Sequence, residues 1–181
     1  MNVDKKINSI SNSKAGIIIA VFICVLLVLD RLTKFLAQFF LMETDGISII
    51  KNVLKLQYLE NRGAAFGMLQ NKQIFFWILT VVVAAFLIWF FIRVPKNKYY
   101  RPIIFAVTIL FSGAIGNFID RVVNKYVIDF IYFEIIDFPI FNVADIYVTI
   151  SVVLLLILVI FHYKEGDFFF ISNKKENKTN E

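Results

Sequence analysis

The chain has 181 residues, 59% of them apolar, with a net charge of +5 and a mean hydropathy of +0.74. A soluble domain of this length does not carry that much apolar surface, so part of it must face lipid and the protein is integral to a membrane. One Cys and one His exclude a disulfide framework and leave almost no basis for a Cys/His metal site. The excess Lys and Arg lies largely in loops and tails, where it reads as membrane topology rather than nucleic-acid binding.

A basic tail with Lys5, Lys6 and Lys14 precedes the first apolar segment, which runs from Ala15 or Gly16 through Leu29 and on to about Phe40. This segment includes Asp30, Arg31 and Lys34, so it crosses ~30 Å of hydrocarbon only if those charges lie near the far interface. Asp30 and Lys34, spaced i,i+4, are expected to neutralise one another there. No small-x-small site follows promptly, which argues against a cleaved signal peptide. Cys24, behind the bulky Val21-Phe22-Ile23, reads as a packed core thiol.

The connection from about Leu41 to Gln73 has content of its own. Leu54, Leu56 and Tyr58 alternate with Lys55 and Gln57, the period of a half-buried strand, and Asn61-Arg62-Gly63 supplies a turn. A small sheet on the membrane surface is expected. The second span, Ile74 to Ile92, has no charge at all. After a short basic connection, the third runs from about Pro102 to Phe118, with Pro102 in its first turn and Gly113 and Gly116 forming a small-residue face for close packing. Asp120-Arg121 at its end reads as an interfacial ion pair. The fourth span covers about Asn142 to Phe161.

The expected fold class is therefore a mainly α polytopic membrane protein: four transmembrane helices with a small extracytoplasmic β-containing loop region. A single domain over residues 15–163, with outer loops at about 41–73 and 119–141, lies between a tail of residues 1–14 and a polar tail of residues 164–181 that is expected to be disordered. Of the 19 Lys and Arg, 11 fall in the two tails and the Arg93 to Arg101 connection, against 8 spread over the longer loops. By the positive-inside rule both termini are cytoplasmic and the long loops face outward.

Asp129 and Asp145 carry the strongest hint of chemistry, because a carboxylate beside lipid is costly unless it is paired, hydrated or functional. Spans three and four are antiparallel neighbours, and Pro139 prevents a continuous helix between the acids, so an extended or looped stretch can fold Asp129 back against the start of span four. Two such acids sharing one proton could run acid/base chemistry on a peptide bond. A neutral amide such as Asn142 could hold the pair, and the Arg121 fork could bind a carbonyl, phosphate or carboxylate. The plainer alternative makes Asp145 an N-terminal helix cap.

Asp30-Arg31-Leu32-Thr33-Lys34, Asn61-Arg62-Gly63-Ala64-Ala65-Phe66, Gly116-Asn117-Phe118-Ile119-Asp120-Arg121, Val127-Ile128-Asp129-Phe130 and Phe141-Asn142-Val143-Ala144-Asp145 occur in this order. Together they closely resemble the signature blocks of the bacterial lipoprotein signal peptidase (signal peptidase II) family, over roughly Gly16 to Tyr163. The resemblance implies an intramembrane aspartyl endopeptidase without metal or organic cofactor. It cuts prolipoproteins on the amino side of a diacylglyceryl-modified cysteine, in the bacterial inner membrane with its site near the outer face. Asp129 and Asp145 match the catalytic aspartates, and Asn61, Asn117, Arg121 and Asn142 the substrate-site polar residues. Asp30, Lys34, Gly63, Gly116 and Asp120 match supporting positions. Lipid-modified precursors, membrane phospholipids and cyclic peptide inhibitors of the globomycin type are the implied partners, with no role for nucleic acid. The stretch between the two aspartates is shorter than is usual in that family, and Ile146-Tyr147 stands where small hydroxyl residues are common. A small transporter and a non-enzymatic scaffold are the rival readings, and neither accounts for both acids.

Overall fold

The computed structural model describes residues 12–63 and 72–171. Lys5, Lys6, the Ala64-Ala65-Phe66 part of the second sequence block and the basic cluster from Lys174 to Lys178 lie outside the described residues. Four helices are long and apolar enough to cross a membrane. They are α1 (Asn12–Leu41), α2 (Gln73–Arg93), α3 (Arg101–Val123) and α4 (Val143–Ile157), the last continued by a π-helical turn over Leu158–His162.

Helix α3 is the central element, and it packs most extensively on α4, then on α1 and α2. It continues a full turn beyond Phe118, the end expected from hydropathy, because Asp120 finds buried partners and does not have to leave the helix for water. Pro102 does occupy the first turn. Large apolar side chains cover the outer faces of the other helices, including Ile17, Val21, Ile78, Val82 and Phe161. In a membrane protein such a face meets acyl chains rather than water. Cys24 belongs to this outer face: it is exposed, not the packed core thiol expected from its bulky neighbours, since the inward stripe of α1 passes through Leu26, Asp30 and Lys34.

Gly113 and Gly116 let the helices approach. A Cβ at Gly113 would sit 2.6 Å from the Ala144 carbonyl oxygen of α4, and one at Gly116 would sit 2.7 Å from Asp30 Oδ2 of α1. Ala normally favours a helix interior over Gly by about 1 kcal/mol, but here the collision outweighs that gain. Gly116→Ala is expected to lower the thermal midpoint of the detergent-solubilised protein. An unchanged midpoint would show that α1 yields freely at this crossing.

At one end of the bundle lies a three-stranded antiparallel sheet in the order β1 (Ile47–Ile50), β2 (Leu54–Asn61), β3 (Val127–Phe133). Strand β2 contains the alternating stretch read from the sequence. Its pairing places Asn61 opposite Val127 and Leu59 opposite Asp129. After β3 a short turn with Asp137 in the left-handed region (φ 48°) reverses the chain. Phe141 then pairs back on Ile131, accepting from the Phe130 and Ile131 amides at 3.0 and 2.8 Å. This return delivers the chain to the start of α4.

The opposite end is closed by residues expected to be a disordered tail. Glu165–Phe168 form a 3-10 turn, Tyr99 and Tyr100 donate at 2.6 Å to Oδ2 and the carbonyl oxygen of Asp167, and Phe170 is buried against Phe90 and Tyr100. The aromatic run Phe168-Phe169-Phe170 supplies enough apolar surface to hold this segment down to Ile171.

Candidate active site

Strand β3 carries Asp129 inward and the first turn of α4 carries Asp145, so the sheet and the bundle each contribute one acid. Asn142 joins them. It is the N-cap of α4, accepting from the Asp145 amide at 3.0 Å through Oδ1, while its own backbone N–H donates to Asp145 Oδ2 at 3.0 Å. That reciprocal capping satisfies two backbone donors at the helix start. Its side-chain Nδ2 meanwhile donates to Asp129 Oδ1 at 2.5 Å. Asp145 thus sits at the third helical position of a capping box instead of at the N-cap itself, and its other oxygen, Oδ1, accepts from Asn117 Nδ2 at 2.7 Å.

Asp129 is 1% exposed. Its second oxygen, Oδ2, accepts from Asn61 Nδ2 at 2.8 Å, and Asn61 Oδ1 in turn accepts from the Gly63 amide at 2.9 Å. Burial pushes its carboxyl up to about 7, and the charge of Asp145 adds to that rise. The amides of Asn61 and Asn142 and the charge of Lys34 pull the other way. Asp129 is therefore poised to hold or release a proton near neutral pH.

Behind the acids lies a buried cluster of charge. Lys34, 1% exposed, donates to Asp30 Oδ2 at 2.9 Å, pairs with Asp120 Oδ2 at 2.8 Å and donates to Asn117 Oδ1 at 3.0 Å. Asp30 Oδ1 accepts from the Ala144 amide at 3.2 Å, and Arg31 pairs with the second oxygen of Asp120. Two expectations are corrected here. Asp30 and Lys34 do neutralise one another, but inside the bundle rather than at its edge, and Asp120 turns to α1 instead of pairing with its neighbour Arg121. Consecutive residues of a helix point in different directions, so Asp120 faces the core while Arg121 faces β2 and α2. Arg31 stood in a signature block without an assigned role, and only its adjacency to Asp30 pointed to it.

The cluster also sets a direction of donation. An ammonium has donors only, so Lys34 and the Asn142 Nδ2, at 3.1 Å, both occupy the acceptor end of Asn117. The donor end of Asn117 then faces Asp145.

Arg121 donates to the Gly63 carbonyl at 3.3 Å and to the Asn117 carbonyl at 3.4 Å, and lies 4.5 Å over the Phe76 ring. It braces the turn after β2 against α3. Asn61, Asn117, Arg121, Asp129 and Asp145 form the polar wall of a cleft of about 480 Å³. The other wall is apolar, from Phe76, Phe138, Ile140, Phe141, Ile146 and Ile150. Phe76 had no signal in the sequence beyond apolarity, and for the Phe138–Phe141 return Pro139 signalled a looped stretch but not that it would line the cleft. Asn142, fully buried, stands behind the acids rather than on the wall, and Gly116 stands further back beside Asp30. No group of three or more His, Cys, Asp or Glu suited to a metal occurs among the described residues.

The profile of the Signal peptidase (SPase) II family matches residues 22–161. The lipoprotein signal peptidase of Caldanaerobacter subterraneus subsp. tengcongensis is 45% identical over 142 residues, covering 78% of this chain and 94% of that protein. That of Staphylococcus aureus strain MRSA252 is 38% identical over 165 residues, covering 90% and 93%. A bacterial membrane enzyme solved by the in meso method at 2.3 Å superposes with a TM-score of 0.69 at 37% identity, covering 92% of this chain and 95% of its own. These likenesses set the transporter and scaffold readings aside, and with the four apolar helices they make this a multi-pass bacterial membrane peptidase. The chain belongs to the signal peptidase II family.

Proposed function

We propose that this chain is an aspartyl endopeptidase that removes the signal peptide from diacylglyceryl-modified prolipoproteins, cutting on the amino side of the lipid-modified cysteine. One observation carries the reading: two acids from separate elements share the Asn142 bridge and front a cleft whose opposite wall is apolar. A substrate tethered by a signal helix and two acyl chains needs that combination, polar groups at the scissile bond and an apolar side open to lipid. In the working form one acid is ionised and the other protonated. The ionised member takes a proton from a water that attacks the scissile carbonyl. The protonated member donates to the developing oxyanion, and the proton gained from water passes to the leaving amine as the C–N bond breaks.

Both termini are cytoplasmic in this reading, because Lys/Arg are densest at the tails and the Arg93 to Arg101 connection, and the site then lies near the outer face. Asn61, Asn117 and Arg121 bind the substrate backbone, and Asn142 holds the acids at their separation. Phospholipid surrounds the cleft, and a cyclic amphiphilic peptide of the globomycin type would compete for it. Purified protein in detergent is expected to cleave a diacylglyceryl-cysteine precursor peptide, to ignore the same peptide without lipid, and to keep its rate in excess chelator. Cleavage that stops on chelation and returns with zinc would sink the aspartyl mechanism.

Arg121→Lys is expected to lower kcat/KM at least several-fold, because the ammonium keeps the charge but loses the planar fork that spans Gly63 and Asn117. Wild-type kinetics in that variant would reduce Arg121 to a generic cation.

A further inference from the structure

A larger groove, of about 670 Å³, lies at the opposite end of the bundle from the acids, between α1 and α3. Its sides are apolar, from Ile18, Val21 and Val25 of α1 and Phe105 of α3, and two cations stand at its mouth, Lys96 and Arg101. Thr108 on the floor has its hydroxyl committed to the Ile104 carbonyl at 2.7 Å, so nothing polar is left to greet a polar occupant there. Along α1 the lining runs from Ala15 to Val25, about 15 Å at the helical rise, or roughly half of a ~30 Å hydrocarbon core. The groove therefore spans one leaflet. Its cationic mouth stands at the headgroup level and its apolar length runs to mid-membrane.

We infer that this groove is a binding site for one anionic phospholipid of the leaflet opposite the active site. Charge selects the occupant. The connection from Val94 to Arg101 holds Lys96, Lys98 and Arg101 with no acid, and Lys96 is held in place by its donations to the Phe91 and Val94 carbonyls at the end of α2. A phosphate with one net negative charge is attracted to this mouth, whereas a zwitterionic headgroup gains little. A signal helix of a substrate carries a positive n-region at this same level, and like charge turns it away. The proposal rests on the topology and the substrate given above in naming the leaflet cytoplasmic and in setting the signal helix's n-region at this level.

Native mass spectrometry of the full chain, released from nanodiscs of equal phosphatidylglycerol and phosphatidylcholine, tests it without reference to activity. Wild type is expected to retain a single phosphatidylglycerol at least fivefold over phosphatidylcholine. Lys96→Gln with Arg101→Gln should bring that ratio near one, and Ile18→Trp, which fills the groove from an outer position 60% exposed, should remove the retained lipid. All these proteins should still cleave the lipidated peptide at the wild-type rate in detergent, which shows them folded. Equal retention of the two lipids by wild type, or a ratio unmoved in the double variant, overturns the assignment. So does capture of a substrate signal helix by a photo-crosslinker placed at Ile18.

Discussion

Asp129→Asn and Asp145→Asn are each expected to cut turnover by a factor on the order of 10²–10⁴, the usual worth of a positioned acid or base, in protein that still inserts and folds. The double variant should be little worse than the poorer single one, since two groups that share a proton act as a unit. Asn keeps the shape and an acceptor for one of the two donors each acid faces, sets an NH2 against the other, and cannot trade a proton with water. On the alkaline side the wild-type rate should fall as pH rises through about 7, where Asp129 loses its proton. Stability carries the same signature. The folded Asp129 holds its proton well above the ordinary value of 3.8, so the folded state binds more protons than the unfolded chain and its stability falls as pH rises from about 4 through 7. Asp129→Asn removes that slope, so its midpoint should not decline between pH 4 and 7 as the wild type's does, while the variant remains inactive. Turnover within a few-fold of wild type for either Asn variant would mean that the pair is misassigned.

Lys34→Met is expected to be the most damaging change away from the cleft. It leaves Asp30 and Asp120, both 0% exposed, short of a cation, and breaking a buried pair in this way costs about 3–5 kcal/mol against a total stability of about 5–15 kcal/mol. The thermal midpoint in detergent should drop sharply. A companion variant separates folding from chemistry: Asp30→Asn, Lys34→Met and Asp120→Asn together remove the stranded charges and should recover much of the midpoint. Turnover should not recover fully with it, because Asn117 has lost the charged one of the two donors that hold its amide with Nδ2 toward Asp145 and keeps only Asn142. A wild-type midpoint for Lys34→Met alone, or full turnover in the triple variant, would reduce the cluster to passive packing.

The four spans were legible in the chain because burial in lipid is a local property: a run such as Ile74 to Ile92 must be apolar whatever its neighbours do. Strand β2 was legible for the same reason, since one lipid- or core-facing side imposes alternation. Asp129 and Asp145 stood out because a carboxylate in so apolar a chain is costly without a purpose, and the order of the five blocks named the family. The partners of each polar group were a different matter. Arg31 meets Asp120 across 89 positions and Lys34 meets Asn117 across 83, and nothing within either segment specifies the other. Only the packed bundle decided that Asp120 turns from Arg121 to α1, that Cys24 faces outward and that Phe170 folds back on Tyr100. It also decided that one amide, Asn142, both caps α4 and bridges the acids. A hydrogen bond is short-ranged and directional, so which donor reaches which acceptor is settled by how rigid elements pack, after hydropathy has already settled what those elements are.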